Sequence, residues 1–118
     1  MNNYKELKVW QKSMELVELV YKLTSLFPKE EKYGLISQIQ KSAVSIPSNI
    51  AEGAGRNSNK EFKHFISIAN GSSNELSTQI HLSIRIGYIN KNEVTEIFKL
   101  ITEIQKINYT LIKKFSNL

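Results

Sequence analysis

The chain has no cysteine and no aspartate. The first absence excludes a disulfide framework, a thiolate zinc site and cysteine nucleophile chemistry. The second leaves glutamate as the only acidic side chain, which removes aspartate-based calcium loops and a Ser-His-Asp triad. Only two histidines, His64 and His81, remain for metal or base work. Two prolines and five glycines are too few for a many-turned β architecture. Long apolar runs are missing too, and no stretch approaches the roughly 20 residues of a membrane helix. The N-terminal segment mixes Lys and Glu through its apolar positions, so it lacks a signal-peptide core. A cytoplasmic protein without membrane contact is expected, and the composition points away from an enzyme.

What is present suits a packed domain. With 118 residues, 41% hydrophobic and 23% charged, one domain over 1–118 is expected. Fourteen lysines and two arginines, Arg56 and Arg85, face eleven glutamates, for a formal charge of +5. The excess is spread evenly along the chain: residues 1–59 carry +2 and residues 60–118 carry +3. It suits either a polyanion-binding surface or a plain Lys/Glu exterior.

Apolar residues recur at helical spacing throughout. Val9, Leu16, Val20 and Leu23 mark a first helix over about 4–27, ended by Phe27-Pro28. A second covers 33–54. Ser58-Asn59-Lys60-Glu61 reads as a capping box that opens a third over 58–86, which Gly87 stops. Asn90-Lys91-Asn92-Glu93 repeats the box and opens a fourth over 91–115. There Val94, Ile97, Ile101, Ile104, Leu111 and Phe115 form a seam that Asn108 interrupts. Phe98, Leu100, Ile107 and Ile112 widen this face, which is either tucked between two helices of the same chain or shared with another subunit. Short connections imply an all-α, up-down-up-down antiparallel four-helix bundle.

The second helix carries the unusual chemistry. Leu35, Ile39, Ala43, Ile46 and Ile50 form its apolar stripe, while Gln38, Ser42, Ser45, Asn49, Glu52 and Arg56 line the opposite face. Short amide and hydroxyl groups hydrogen-bond in fixed geometry at low entropic cost, which suits a polar contact surface. Pro47 lies inside this run; the stripe keeps its phase across it, predicting a continuous helix with a kink there. Gly53-Ala54-Gly55-Arg56 lacks the strand context of a phosphate loop. The turn into the third helix, with Arg56, Lys60 and Lys63 nearby, suits at most one phosphate.

On the third helix, Phe62, Phe65, Ala69, Leu76 and Ile80 read as core, and Gly71-Ser72-Ser73 as a close-approach site for another backbone. Ser72, Glu75, Gln79 and Ser83 line a neighbouring face. Glu52 and Glu75 are candidates for a carboxylate pair, but di-metal bundles draw on several glutamates and paired Glu-x-x-His motifs, so a salt bridge such as Glu75 with Arg56 is expected instead. An enzyme would need a site built from Glu52, Glu75, Arg56 and His81. No metal, cofactor or catalytic residue is assigned.

The string YGLISQIQKSAVSIPSNIAEGAGR, followed by EFKHFISIANGSSNELSTQI and IGYI, resembles the small four-helix bundle proteins encoded in intervening sequences of bacterial 23S rRNA genes. The resemblance covers nearly the whole chain, and SIPSNIAEG-x-GR is its most specific element. Gln40 and Lys41 stand where that family usually has two arginines. The resemblance implies a homo-pentameric ring. It also implies a likeness in fold to the accessory protein of diversity-generating retroelements, a basic barrel that binds nucleic acid and a reverse transcriptase.

The expected protein is therefore a non-enzymatic oligomeric bundle that binds RNA or another nucleic acid through Lys41, Arg56, Lys60, Lys63 and Arg85. Gln38, Ser45, Asn49, Glu52, Glu75 and Gln79 form its polar interface. The competing expectation is an adaptor that engages a protein partner through the ring, with no nucleic-acid role.

Overall fold

The structure, a computed structural model, describes residues 3–116. Four helices, α1 (Lys8–Thr24), α2 (Leu35–Ala54), α3 (Asn59–Ile86) and α4 (Thr95–Ser116), form an all-α bundle with no strand among the described residues. Single 3-10 turns at Tyr4–Glu6, Lys29–Glu31 and Lys91–Glu93 precede α1, α2 and α4. Each helix packs on its neighbour in sequence, and α4 also returns to α1.

Cross-helix hydrogen bonds fix the registers. Residue 42 meets 75 and residue 45 meets 72, so α2 and α3 run antiparallel. Residue 73 meets 105 and residue 70 meets 108, so α3 and α4 do too. The core lies on the axis between all four helices. Leu16, Val20, Ile39, Ile46, Ile50, Ile66, Leu76, Ile80 and Ile104 are wholly buried in it. Each such side chain stabilises the fold by about 1.5–3 kcal/mol relative to exposure.

The helix ends show local chemistry at work. Ser58 Oγ accepts the Glu61 N–H at 3.1 Å and opens α3. Gly87 closes it in the left-handed conformation, φ +96°, with its N–H and that of Tyr88 both reaching the Ser83 carbonyl. Glycine adopts that backbone without steric penalty.

Two expected starts move inward by four residues, and that of the second helix by two, from 33 to Leu35. The first helix begins at Lys8 rather than residue 4, because Leu7 is extended and Tyr4 folds back edge-on to Trp10 at 5.3 Å. The last begins at Thr95 rather than residue 91. The Asn90–Glu93 box is present, with the Asn90 N–H donating to Glu93 Oε1 at 2.8 Å, but it closes a 3-10 turn instead of a helix. The first helix also stops at Thr24, where Ser25 and Leu26 turn so that Phe27 can enter the core.

α2 passes through Pro47 as one uninterrupted helix, with Ile46 and Ile50 buried on either side. The broad face of α4 is tucked within the chain: Phe98, Ile107 and Ile112 are half-buried against its own core. On α3 the buried residues are Phe62, Ile66, Ala69, Ser72, Ser73, Leu76, Ile80 and Ser83. Ile66 therefore takes the place expected for Phe65, which is only half-buried.

Glu31 ties together the two turns at one end of the bundle. Its Oε1 accepts the Leu35 N–H at 3.0 Å, and its Oε2 accepts the Tyr88 hydroxyl at 2.7 Å. The Leu35 N–H first, then Tyr88, hold its carboxyl below the ordinary carboxylate range. A lowered carboxyl pKa means that the folded chain binds the proton less tightly than the unfolded one. This stabilisation is therefore present above the ordinary range and lost as pH falls through the folded value. Glu31→Gln is expected to be less stable than the parent at neutral pH, with the gap closing in acid. Denaturant unfolding at both pH values checks this, and a gap that persists undiminished in acid refutes it.

Candidate functional site

The polar face of α2 docks against α3 along much of its length. Ser42 Oγ donates to Glu75 Oε1 at 3.1 Å, and the Ser45 and Ser72 hydroxyls share a hydrogen bond at 2.8 Å. Asn49 Nδ2 donates to both the carbonyl and the hydroxyl of Ser45, at 2.8 and 2.9 Å. Small side chains make this possible, since only Ser, Ala and Gly allow two backbones so close. Gln38, Lys41, Ser42, Ser45, Glu75 and Gln79 line a recess of about 300 Å³ beside the seam. Gln79 Oε1 is buried there without a partner.

Gly53 is the tightest point of the contact. A Cβ built on it would lie 2.8 Å from the Phe65 Cβ and 3.3 Å from the Phe62 carbonyl. Gly71 has no atom within 4 Å of such a Cβ. The expected close approach at Gly71 is thus corrected: the glycine that lets the helices meet is Gly53, and Gly71 faces outward.

Arg56 is already engaged. It lies 3.8 Å from Glu52 and 3.7 Å from Glu61, with its guanidinium 4.8 Å from the Phe65 ring centre. The expected Glu75–Arg56 bridge is not formed, because Glu75 lies far along the seam, held by Ser42. Glu52 and Glu75 do not meet as a pair for the same reason. His81 stacks on Phe98 at 4.6 Å, so Glu52, Glu75, Arg56 and His81 do not converge on one site. Among the described residues, no group of three His or Glu side chains is placed to hold a metal ion. No helix there is long and apolar enough to cross a membrane.

Residues 5–110 match the family described as 23S rRNA-intervening sequence protein. The chain belongs to that family. It is 31% identical to a crystallised protein of unknown function from the S23 ribosomal protein family of Bacteroides thetaiotaomicron. The match covers 89% of this chain and 98% of that one, with a TM-score of 0.82. No protein with a curated description matches the sequence. In this member of the intervening-sequence family, the SIPSNIAEG-x-GR element is the strip of α2 that faces α3 together with the turn that follows it.

The five expected nucleic-acid contacts do not form one patch. Lys60 and Lys63 stand at the start of α3 beside Arg56. Lys41 lines the mid-bundle recess. Arg85 lies 25 residues beyond Lys60 on the same helix, about 37 Å away at 1.5 Å per residue. Sequence reasoning missed the cations that do join Lys60 and Lys63. Lys63 Nζ donates to Ser116 Oγ at 3.3 Å, and Phe62 meets Phe115 edge-on at 5.1 Å. The end of α4, with Lys113 and Lys114, therefore lies against the start of α3. A signal was available: α4 carries no carboxylate after Glu103.

The two glycines give a direct test of the seam. Gly53→Ala is expected to destabilise the fold by about 1–3 kcal/mol by overpacking the α2/α3 contact. Gly71→Ala is expected to stabilise it by about 0.5–1 kcal/mol through reduced chain entropy. Equilibrium denaturation of both variants checks the pair, and equal effects would refute the assignment.

Proposed function

We propose that this chain is a non-enzymatic, homo-oligomeric, cytoplasmic bundle that binds RNA or another nucleic acid through a lysine-rich pole. The supporting observation is how the bundle redistributes a charge that looks even along the sequence. Lys5, Arg56, Lys60, Lys63, Lys113 and Lys114 gather at one end, with Glu6, Glu52 and Glu61 beside them. Lys8 lies near Glu103, so the middle of the bundle carries five cations and four glutamates, and the far end five and four. Three of the five net positive charges therefore sit at one tip of a molecule 46 Å long. Such a concentrated field attracts a polyanion, and releasing its counterions drives binding.

An adaptor role with a protein partner is the second reading, and one feature favours it. Val44, Ile68, Leu82 and Ile86 are exposed on α2 and α3, around the polar seam. That face suits a subunit or partner contact, with Gln38, Lys41 and Glu75 at its centre. The resemblance implies a pentamer, and the lysine pole is separate from this face.

Gel-shift titration of a 23S rRNA fragment over a salt series tests the leading reading. Log affinity is expected to fall linearly with log salt, with a slope near −0.7 per neutralised phosphate on single strands. Replacing Lys60, Lys63, Lys113 and Lys114 with alanine is expected to flatten that slope, whereas Lys41→Ala with Arg85→Ala leaves it nearly unchanged. Absence of binding at low salt would overturn the reading, and a monomeric mass in solution would overturn the assembly.

A further inference from the structure

Between α3 and α4 runs an open, shallow groove of about 710 Å³ lined by polar residues. Along α4 its lining face continues at helical spacing from Lys106 and Tyr109 to Lys113 in the last turn. Neither wall carries an acid there: α3 from Phe62 to Asn74 and α4 from Ile104 to Ser116 contain lysine and no glutamate. The nearest carboxylates are all occupied elsewhere, Glu61 near Arg56, Glu75 with Ser42 and Glu103 with Lys12.

The groove floor is a set of fixed amides. Asn108, wholly buried, donates its Nδ2 to Asn70 Oδ1 at 2.9 Å. Gln105 Nε2 donates to Ser73 Oγ and to Asn74 Oδ1, both at 2.8 Å. In this arrangement the NH₂ groups of Asn70 and Asn74 and the Oε1 of Gln105 have no partner among the described residues. They present two donors and an acceptor in fixed positions. Asn108 Oδ1 is itself buried and unpaired, so this polar position is poorly explained by core stability. It does hold Asn70 in place. Beside these amides stands Tyr109, 65% exposed, and next to it Lys106.

An exposed aromatic ring, unpaired amide groups and acid-free lysines together match the chemistry of an unpaired nucleotide. Its base stacks on a ring, its edge takes amide hydrogen bonds and its phosphates seek cations. A duplex hides its base faces and satisfies its base edges, so it fits this groove poorly. We propose that the α3/α4 groove holds single-stranded nucleic acid, with a base on the Tyr109 ring, its edge at Asn70, Asn74 and Gln105, and its phosphates among Lys106, Lys113 and Lys63. This rests on the nucleic-acid reading above and names the form of polymer that the pole receives.

Fluorescence anisotropy with a labelled oligouridylate, and with an RNA duplex of equal length, tests it. The single strand is expected to bind more tightly than the duplex at every salt concentration. Tyr109→Ala is expected to lose about tenfold in single-strand affinity, with the salt slope unchanged. Tyr109→Phe, which keeps the ring, is expected to retain binding. Equal affinity for strand and duplex, with Tyr109→Ala silent, would overturn the groove and leave the lysine pole standing. No binding of either probe would overturn both. A changed native mass for Tyr109→Ala would make Tyr109 a subunit contact and also overturn the groove.

Discussion

The approach of α2 to α3 at Gly53 is the constraint on which the rest of the molecule depends. Because residue 53 has no side chain, the helix can lie against Phe62 and Phe65, and the two backbones stay close over the following turns. That closeness brings Ser42 within reach of Glu75 and Ser45 within reach of Ser72. Short hydroxyl bonds need the two helices in direct contact, so the polar seam follows from that packing and then fixes its register. Once α3 is placed, its inward stripe from Phe62 to Ile80 sets where α1 and α4 must lie. α2 is helical through Pro47 under the same constraint: a break there would pull Ile46 or Ile50 out of the core.

How much of this was legible in the sequence depended on the range of the interaction. Caps act within four residues, so Ser58–Glu61 and Gly87 were readable, and the inward Asn108 followed from the period of α4 alone. Leu7 carries no such mark; the short start of α1 comes from Tyr4 folding onto Trp10. The box at Asn90–Glu93 was chemically right, yet a cap specifies the first turn and not whether it is α or 3-10. Ser73 and Ser83 lie inward at positions that a hydrophobicity pattern scores as surface. Gly53 and Gly71 look alike in sequence and differ only in whether a second helix stands opposite. The cations were hardest, because Lys63 and the last turn of α4 at Ser116 lie 53 residues apart in sequence and meet only through the fold.

The two grooves that flank α4 show that charge on this molecule is arranged and not merely abundant. On the α1 side, Lys12, Glu15, Glu18, Lys22, Glu96, Lys99 and Glu103 interleave, and Lys12 meets Glu103 at 2.6 Å. Their mutual hydrogen bond is the leading reason that the lysine pKa is raised and the glutamate pKa lowered. That surface is self-compensated and offers a polyanion little. On the α3 side the same helix shows lysine without acid. One helix thus separates a groove rich in acid from one that carries lysine alone.

Structural causes account for part of the lysine pole but not all of it. Lys113 and Lys114 occupy the last turn of α4, where the partial negative charge of the helix end favours cations, typically by about 0.3–1 kcal/mol. A solvated helix terminus explains those two. Lys60 and Lys63 stand at the opposite kind of terminus, the start of α3, where the exposed N–H groups favour an acid and disfavour a cation. Lys63 also reaches the last turn of α4, where its Nζ donates to Ser116 Oγ at 3.3 Å. Helix electrostatics act against this placement, and Glu61 is the sole acid in that first turn. A polyanion bound at the pole, as proposed above, would offset that cost.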